Sequence, residues 1–259
     1  MNSSTWLILE VAMPIKGTDA RIFIDELDFS SVTSELSVEA TVGELDATNL
    51  ASTFMEYKPS TSSGQINING YFVGPGAGTG TTQESVLYGA LANPTKTVAA
   101  VFDYQNLPTP AYVMEKAYNQ DMQWTVPFDG LLAMTGAFKS KVGLKRGYMI
   151  YYKVNKAATG LGTAVQIPGV LGSHSGKIFA FVQDKVGTLT PPITFTVQTS
   201  ADGVSGWTTK ATFSMTALGA QVQSFSSPTG AYFNVNLTSL GGLTSLKYSI
   251  IVVVDGLTS

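Results

Sequence analysis

Apolar and polar residues take turns along several stretches of this chain. In 65–73, Ile66 and Ile68 point one way while Gln65, Asn67 and Asn69 point the other, the two-residue period of a half-buried strand. Residues 32–42 repeat it, with Val32, Leu36, Val38, Ala40 and Val42 opposed to Thr33, Glu35, Ser37, Glu39 and Thr41. In 119–126, Met122, Trp124 and Val126 oppose Asn119, Asp121, Gln123 and Thr125. Residues 21–23, 97–102 and 131–138 read as further strands. One helix interrupts them over 84–91: Thr81 and Glu84 have capping-box spacing, and Val86, Leu87, Ala90 and Leu91 recur at helical spacing before Asn93-Pro94. The segment 43–63, GELDATNLASTFMEYKPSTSS, has no period and reads as a long loop whose Phe54, Met55 and Tyr57 suit docking onto a partner.

Beyond 165 the pattern becomes a succession of short strands, 177–183, 193–199, 211–215, 221–225, 231–237 and 245–254, separated by turn signals such as Ser200-Ala201-Asp202-Gly203 and Gly241-Gly242. KAATGLGTA, 156–164, is small, Gly-containing and aperiodic. It places a boundary: a first domain over 1–157, a linker over 158–164 and a β-sandwich over 165–259.

The composition agrees with a mainly β chain. Charged residues are 13 % of the 259, about half the usual share, and glycine is plentiful. The net charge of −3 argues against a general nucleic-acid binder. With no cysteine, disulfides and thiolate metal sites are excluded. The apolar run 6–15 lacks a basic flank, contains Glu10 and is too short to span a bilayer. A soluble chain made in a cytoplasm is expected, retained there unless it leaves within a particle.

What charge there is, is unevenly spread. Acids crowd the first sixty residues, whereas Lys139, Lys141, Lys145, Arg146, Lys153 and Lys156 fall in a stretch without acids. That block suits nucleic acid or, at least as well, an acidic subunit surface. The single histidine, His174, lies in the turn-like GSHSG and has neither a second His nor a Cys with which to build a zinc site or a catalytic triad. GPGAGTGTT, 74–82, lacks the Lys-Ser/Thr of a phosphate loop and reads as a flexible turn. Glu35 and Glu39, four residues apart on one strand face, would be separated by about 13 Å, too far for a glycosidase pair. Asp25-Glu26-Leu27-Asp28 reads as a hairpin turn rather than a calcium loop. No enzyme constellation and no cofactor site emerges.

The stretch IKGTDARIFIDELDFSSVTSELSVEATVGELDATNLASTFMEYKPSTSSGQINING resembles the start of the tail tube (major tail) proteins of long-tailed bacteriophages. The matching features are Asp28-Phe29-Ser30, Asp46-Ala47-Thr48, the aromatic 54–57 region and Gly70-Tyr71-Phe72, with the helix in the corresponding place. ITFTVQTSADGVSGWTTKATFSM and AYFNVNLTSLGG resemble the Ig-like β-sandwich domains appended to phage tail proteins. The resemblance implies an antiparallel β-barrel or sandwich with one flanking helix, followed by a sandwich that decorates the particle. It implies a non-enzymatic virion protein, assembled in the host cytoplasm. Its subunits form rings, six in the best-known relatives, that stack into a conduit for DNA. Glu35, Glu39, Gln65, Asn67, Asn69, Asp121 and Gln123 would line the lumen. Asp46, Thr48, Phe54, Met55 and Tyr57 would reach the next ring. The implied partners are further copies of the chain, a tape-measure protein and then DNA in the lumen, and terminator and baseplate proteins; no membrane is implied. Two other readings stay open: a capsid decoration or tail-fibre-associated subunit, and a carbohydrate-binding sandwich with Trp207, Tyr232 and Phe233 as a sugar platform.

Overall fold

The computed structural model describes residues 17–46, 57–71, 83–91, 93–126, 132–170, 172–190 and 192–256. After a 3-10 turn at Gly17–Asp19 come β1 (Arg21–Ile24), β2 (Leu27–Asp28), β3 (Thr33–Asp46), β4 (Tyr57–Tyr71), α1 (Gln83–Gly89), β5 (Lys96–Val101), β6 (Thr109–Thr125), β7 (Ala133–Ser140) and β8 (Leu144–Lys156). Then follow β9 (Gly160–Leu161), β10 (Val165–Gln166), β11 (Ser175–Val186), β12 (Ile193–Ser200), β13 (Thr208–Met215), β14 (Gly219–Ser226), β15 (Tyr232–Leu240) and β16 (Ser245–Val254). The mainly antiparallel, sandwich-type architecture with one helix is the one expected. Among the described residues no sheet closes into a barrel.

Two sheets carry the fold. The large one runs β14-β11-β16-β8-β6-β5-β1-β2, and β3-β4-β7 joins it through β6. The smaller one runs β10-β15-β12-β13, with β9 also on β15. Strand β6 is shared by two regions. Its first half pairs with β5 on one edge and β8 on the other, and its second half pairs with β7. Between the halves Lys116 takes a left-handed φ of 53°, a bulge that turns the strand from one layer into the next. β7 and β8 follow one another along the same edge of β6, from Ala133 opposite Thr125 to Met149 opposite Thr109.

Strand β8 is where the sequence reading fell short, because only the charges of its segment were read. Gly147–Tyr152 is a continuous apolar run without alternation, and the structure buries it on both faces, as strands between layers require. Three cores result. Ile22, Ile24, Val98 and Ala100 pack against Ile66, Ile68, Met134 and Phe138, with Val86 and Leu87 of α1 and Ala90 just after it. The other face of the same strands, Phe23, Val101 and Val113, packs on Phe179, Phe181, Ile251 and Val253. The third core lies between the large and small sheets, around Phe195, Phe213, Phe233, Tyr248 and Ile250.

The large sheet curls so that strands far apart in its order meet. The ring of Phe23 on β1 lies 6.1 Å from Tyr152 on β8 and 5.8 Å from Phe181 on β11. Lys247 on β16 reaches Asp28 on β2 at 2.7 Å, and Lys177 on β11 pairs with Glu115 on β6. Hydrogen bonds and apolar contacts therefore run across the position expected to separate two domains. Within the expected linker, Gly160–Leu161 forms β9 against Asn236 and Leu237.

Burial alone lowers the pKa of Lys247, but the hydrogen bond and charge of Asp28, with a smaller contribution from Tyr152, outweigh it and hold the pKa above the ordinary lysine value. A raised lysine pKa stabilises the fold fully below the unfolded value and is lost as pH rises through the folded one. The latch should therefore be intact at neutral pH and fail only above the ordinary lysine range. Asp28→Asn should lower stability at pH 7 by about 2–3 kcal/mol, read as a lower urea midpoint at unchanged slope, and the gap to the parent should narrow as pH rises above the ordinary lysine range.

Candidate assembly surface

Strands β3, β4, β7 and the second half of β6 form a four-stranded sheet with two unlike faces. One face carries Leu36, Val38, Ile66, Ile68, Met122, Trp124, Met134 and Phe138 and is covered by α1. The other is polar. The register sets Glu35 beside Asn69, Thr135 and Gln123; Ser37 beside Asn67, Ala137 and Asp121; and Glu39 beside Gln65 and Lys139. All seven residues expected to line a lumen thus lie on this one face. Glu35, Glu39, Asp121 and Gln123 are exposed, and the three amides are half-buried between their neighbours.

The amides are fixed by the carboxylates beside them. Asn69 Nδ2 donates to Glu35 Oε2 at 2.7 Å. Asn67 Nδ2 donates to Glu39 Oε1 at 3.0 Å and to Ser37 Oγ at 3.2 Å, and Gln65 donates to Asn67 Oδ1. The carboxylates are therefore oriented by neutral donors rather than neutralised by cations, so the face keeps its negative charge. Lys139, beside Gln65, is the cation on this face that sequence reasoning missed. It had been grouped with the basic block, although the period Thr135, Ala137, Lys139 already placed it here. The structure divides that block: Lys145 and Arg146 sit opposite Val113 and Tyr112, and Lys153 and Lys156 lie at the far end of β8.

Asn119 departs from its expected position. It was placed on the polar face with Asp121, but a bulge between Asn119 and Asp121 inserts one residue and moves it to the opposite side. There it is fully buried. Its backbone N–H donates to Ala90 O at 2.8 Å, its Nδ2 to Leu87 O at 3.4 Å, and its Oδ1 accepts from Ala137 N at 3.1 Å. It ties the end of α1 to the sheet that the helix covers.

The hairpin is longer than the sequence suggested. Much of the segment read as an aperiodic loop is strand, with Glu44 opposite Pro59, Leu45 opposite Lys58 and Asp46 opposite Tyr57. β4 pairs with β7 only from Gln65 onward, so the pair continues past the sheet as a two-stranded ribbon. Gly64 sits where the ribbon leaves: a Cβ there would lie 2.3 Å from Leu144 Cβ. Asp46 and Tyr57 are the last described pair, whereas Thr48, Phe54 and Met55 lie outside the described residues, as does the Gly-rich stretch 74–82.

The edges of the sheets are treated differently. Strand β13 lies at the rim of the small sheet, and side chains of β14 cap it. Gln223 Oε1 accepts from Thr212 N at 3.3 Å while its Nε2 donates to Thr212 O, and Gln221 Nε2 donates to Ser214 O at 3.2 Å. Among the described residues, β3 pairs only with β4 and leaves its outer edge open. Among the described residues, the outer edge of β6 beyond Ala117 carries one bridge, that of Asn119 to Leu91.

The other candidates resolve into structural roles. Asp25 lies in the expected hairpin turn, where it pairs with Lys96 at 3.0 Å and accepts from Thr97 N at 2.8 Å. Phe233 is fully buried, Tyr232 packs beneath Gly203, and Trp207 donates to Val204 O at 3.3 Å, so these three do not present one platform. Asp202, in the adjoining turn, is held well below the usual carboxylate range by the N–H groups of Ser205 and Val204 and the hydroxyls of Ser205 and Ser200. Among the described residues no three acidic or histidine side chains are grouped to hold a metal.

No family model matches the chain, and no curated protein matches it. Three of the solved structures it is similar to are as follows. A chain of the virion of a native gene transfer agent particle is 13 % identical, with a TM-score of 0.38, over 51 % of this chain and 97 % of that one. The SPP1 tail tube is 13 % identical, with a TM-score of 0.41, over 53 % and 81 %. The SPP1 Dit protein, described as a hub adsorption apparatus, is 10 % identical, with a TM-score of 0.32, over 91 % and 98 %.

Asn119→Ala should cost about 1–3 kcal/mol, because it strands the part-buried N–H of Ala137, and should raise amide exchange at Val86 and Leu87 of the helix and at Ala90 just beyond it. Thermal melts and hydrogen exchange check this; unchanged exchange in the helix would show that Asn119 does not anchor it.

Proposed function

We propose that this chain is a structural subunit of a phage-type tail tube. The observation that carries the reading is the four-stranded sheet whose β3 edge, and whose β6 edge beyond the bridge of Asn119 to Leu91, are unpaired among the described residues, with one apolar face under a helix and one face of amides and carboxylates. A strand edge left open exposes unpaired N–H and C=O groups and invites pairing with another chain. Setting β3 of one subunit beside the second half of β6 in the next would satisfy both edges and join the sheets into a barrel. Such a ring, of six subunits on the strength of the sequence resemblance, has the polar face inside and α1 outside. The β3–β4 ribbon, whose last described pair is Asp46 and Tyr57, extends beyond the sheet toward a neighbouring ring, and the segment between them, with Thr48, Phe54 and Met55, lies outside the described residues. The C-terminal strands, 165–259, form the outward decoration.

The lumen would carry a tape-measure protein first and DNA afterwards. DNA bears one negative charge per about 1.7 Å of axis. Glu35, Glu39 and Asp121 repel it, and the amides beside two of them accept or donate hydrogen bonds without trapping phosphate. Lys139 stands against three carboxylates. The wall is wet and has little grip, which a conduit requires. In this reading the protein acts in the virion tail, beside terminator and baseplate proteins, and catalyses nothing.

Negative-stain electron microscopy of the concentrated protein should show rings or hollow tubes; uniform small monomers at every concentration and salt tried would overturn the reading. The natural absence of cysteine allows a sharper test. Ser37→Cys combined with Asp121→Cys or Gln123→Cys should give a ladder of crosslinked oligomers on a non-reducing gel, and a gel showing monomer alone would refute pairing of β3 with β6. Glu35→Lys with Glu39→Lys should still assemble, because both side chains are exposed on the polar face and strand pairing along β3 uses its backbone groups. It should, however, retain DNA, measured as slower or incomplete DNA release from particles containing it.

A further inference from the structure

A second feature lies away from the polar sheet, on the open side of the C-terminal sandwich. Strand β8 is paired with β6 only as far as Met149 opposite Thr109, yet it continues to Lys156 along β16. From Ile150 onward its other edge carries no ladder among the described residues. Facing it across the sandwich are β9 and β10, each paired on one side with β15. Between these edges lies a cleft of about 500 Å³, in the range of ligand sites. Ile150, Tyr151, Tyr152 and Lys153 all line it, with Lys156, Tyr104 and the facing segment 161–165.

That lining locates the cleft. Successive side chains of a strand point to opposite faces, so a hollow touched by four consecutive residues runs along the strand's edge rather than over one face. The cores agree, since Tyr151 packs in the core between the two sheets and Tyr152 against the opposite one. A strand edge offers backbone donors and acceptors repeating at the spacing of a polypeptide, and another extended chain matches them. The two charged groups at its end are Lys153 and Lys156, and neither is in an ion pair among the described residues. The tyrosines supply flat apolar walls, with Tyr104 and Tyr152 edge to face at 5.1 Å.

We propose that this cleft binds an extended acidic peptide segment of a partner protein, added as a strand along β8 with its carboxylates against Lys153 and Lys156. The edge supplies affinity through the main chain, and the lysines select the sequence. The site is separate from the sheet assigned to tube formation and does not depend on ring assembly.

Fluorescence anisotropy with the full-length protein tests this, using a labelled hexapeptide of alternating valine and glutamate. Saturable binding is expected, together with a loss of at least about tenfold in Lys153→Glu with Lys156→Glu and a gain for the valine–lysine peptide in that variant. A peptide N-methylated at alternate backbone nitrogens should not bind, because it cannot extend the sheet. Equal binding of the methylated peptide would reduce the site to charge attraction and overturn the proposal. So would the absence of peptide binding, whether or not polygalacturonate binds in its place through the same lysines. Circular dichroism of the double variant, whose changed side chains lie at the rim, checks that the fold is kept.

Discussion

Strand β6 has to satisfy two sheets at once, and much of the molecule follows from how it does so. Its backbone groups need partners along seventeen residues, and no single neighbour runs that far. β5 fills one edge of the first half, while β8 and then β7 fill the other edge in succession. The left-handed Lys116 between them is the corner. Before it, Ala111 and Val113 face the core shared with the C-terminal strands; Met114 and Ala117 on either side of it face the core under α1. Because β8 continues from this pairing into the C-terminal strands, the two halves of the chain fold onto a common sheet rather than standing on a flexible connection.

The polar sheet follows from the same corner. Only the second half of β6, freed from β5, can turn a face outward and carry β7, β4 and β3 with it. On that face amide side chains lie next to carboxylates, so Glu35 and Glu39 are each held by a neutral donor and their charge remains available to act at a distance. The glutamines across β13 and the open edge of β3 show that edge exposure is not general in this molecule. One edge is closed by side chains, and another is open among the described residues.

How far all this could be read beforehand depended on whether a face was buried. Gln65–Asn67–Asn69 and Glu35–Glu39 stood out because Ile66, Ile68, Leu36 and Val38 beside them enforce a two-residue period. The β3–β4 ribbon beyond Gln65 did not stand out. Among the described residues it pairs with nothing but itself, so no continuous apolar face imposes a period, and Pro59 and the Ser/Thr run looked like loop. β8 was hidden for the opposite reason, since burial on both faces removes alternation. Asn119 was misplaced because a single inserted residue reverses a strand's faces, and no side chain at 119–121 announces it.

The sequence by itself determined the class of structure, the mainly β content, the existence of the helix and the composition of the polar face, because these depend on local period and residue type. Tertiary structure alone decided which strands share a sheet, where β6 bulges, which edges are left open and that β8 joins the halves. Those features rest on hydrogen bonds between residues far apart in the chain, such as Lys247 with Asp28, and on register, which shifts by one residue without changing a local pattern.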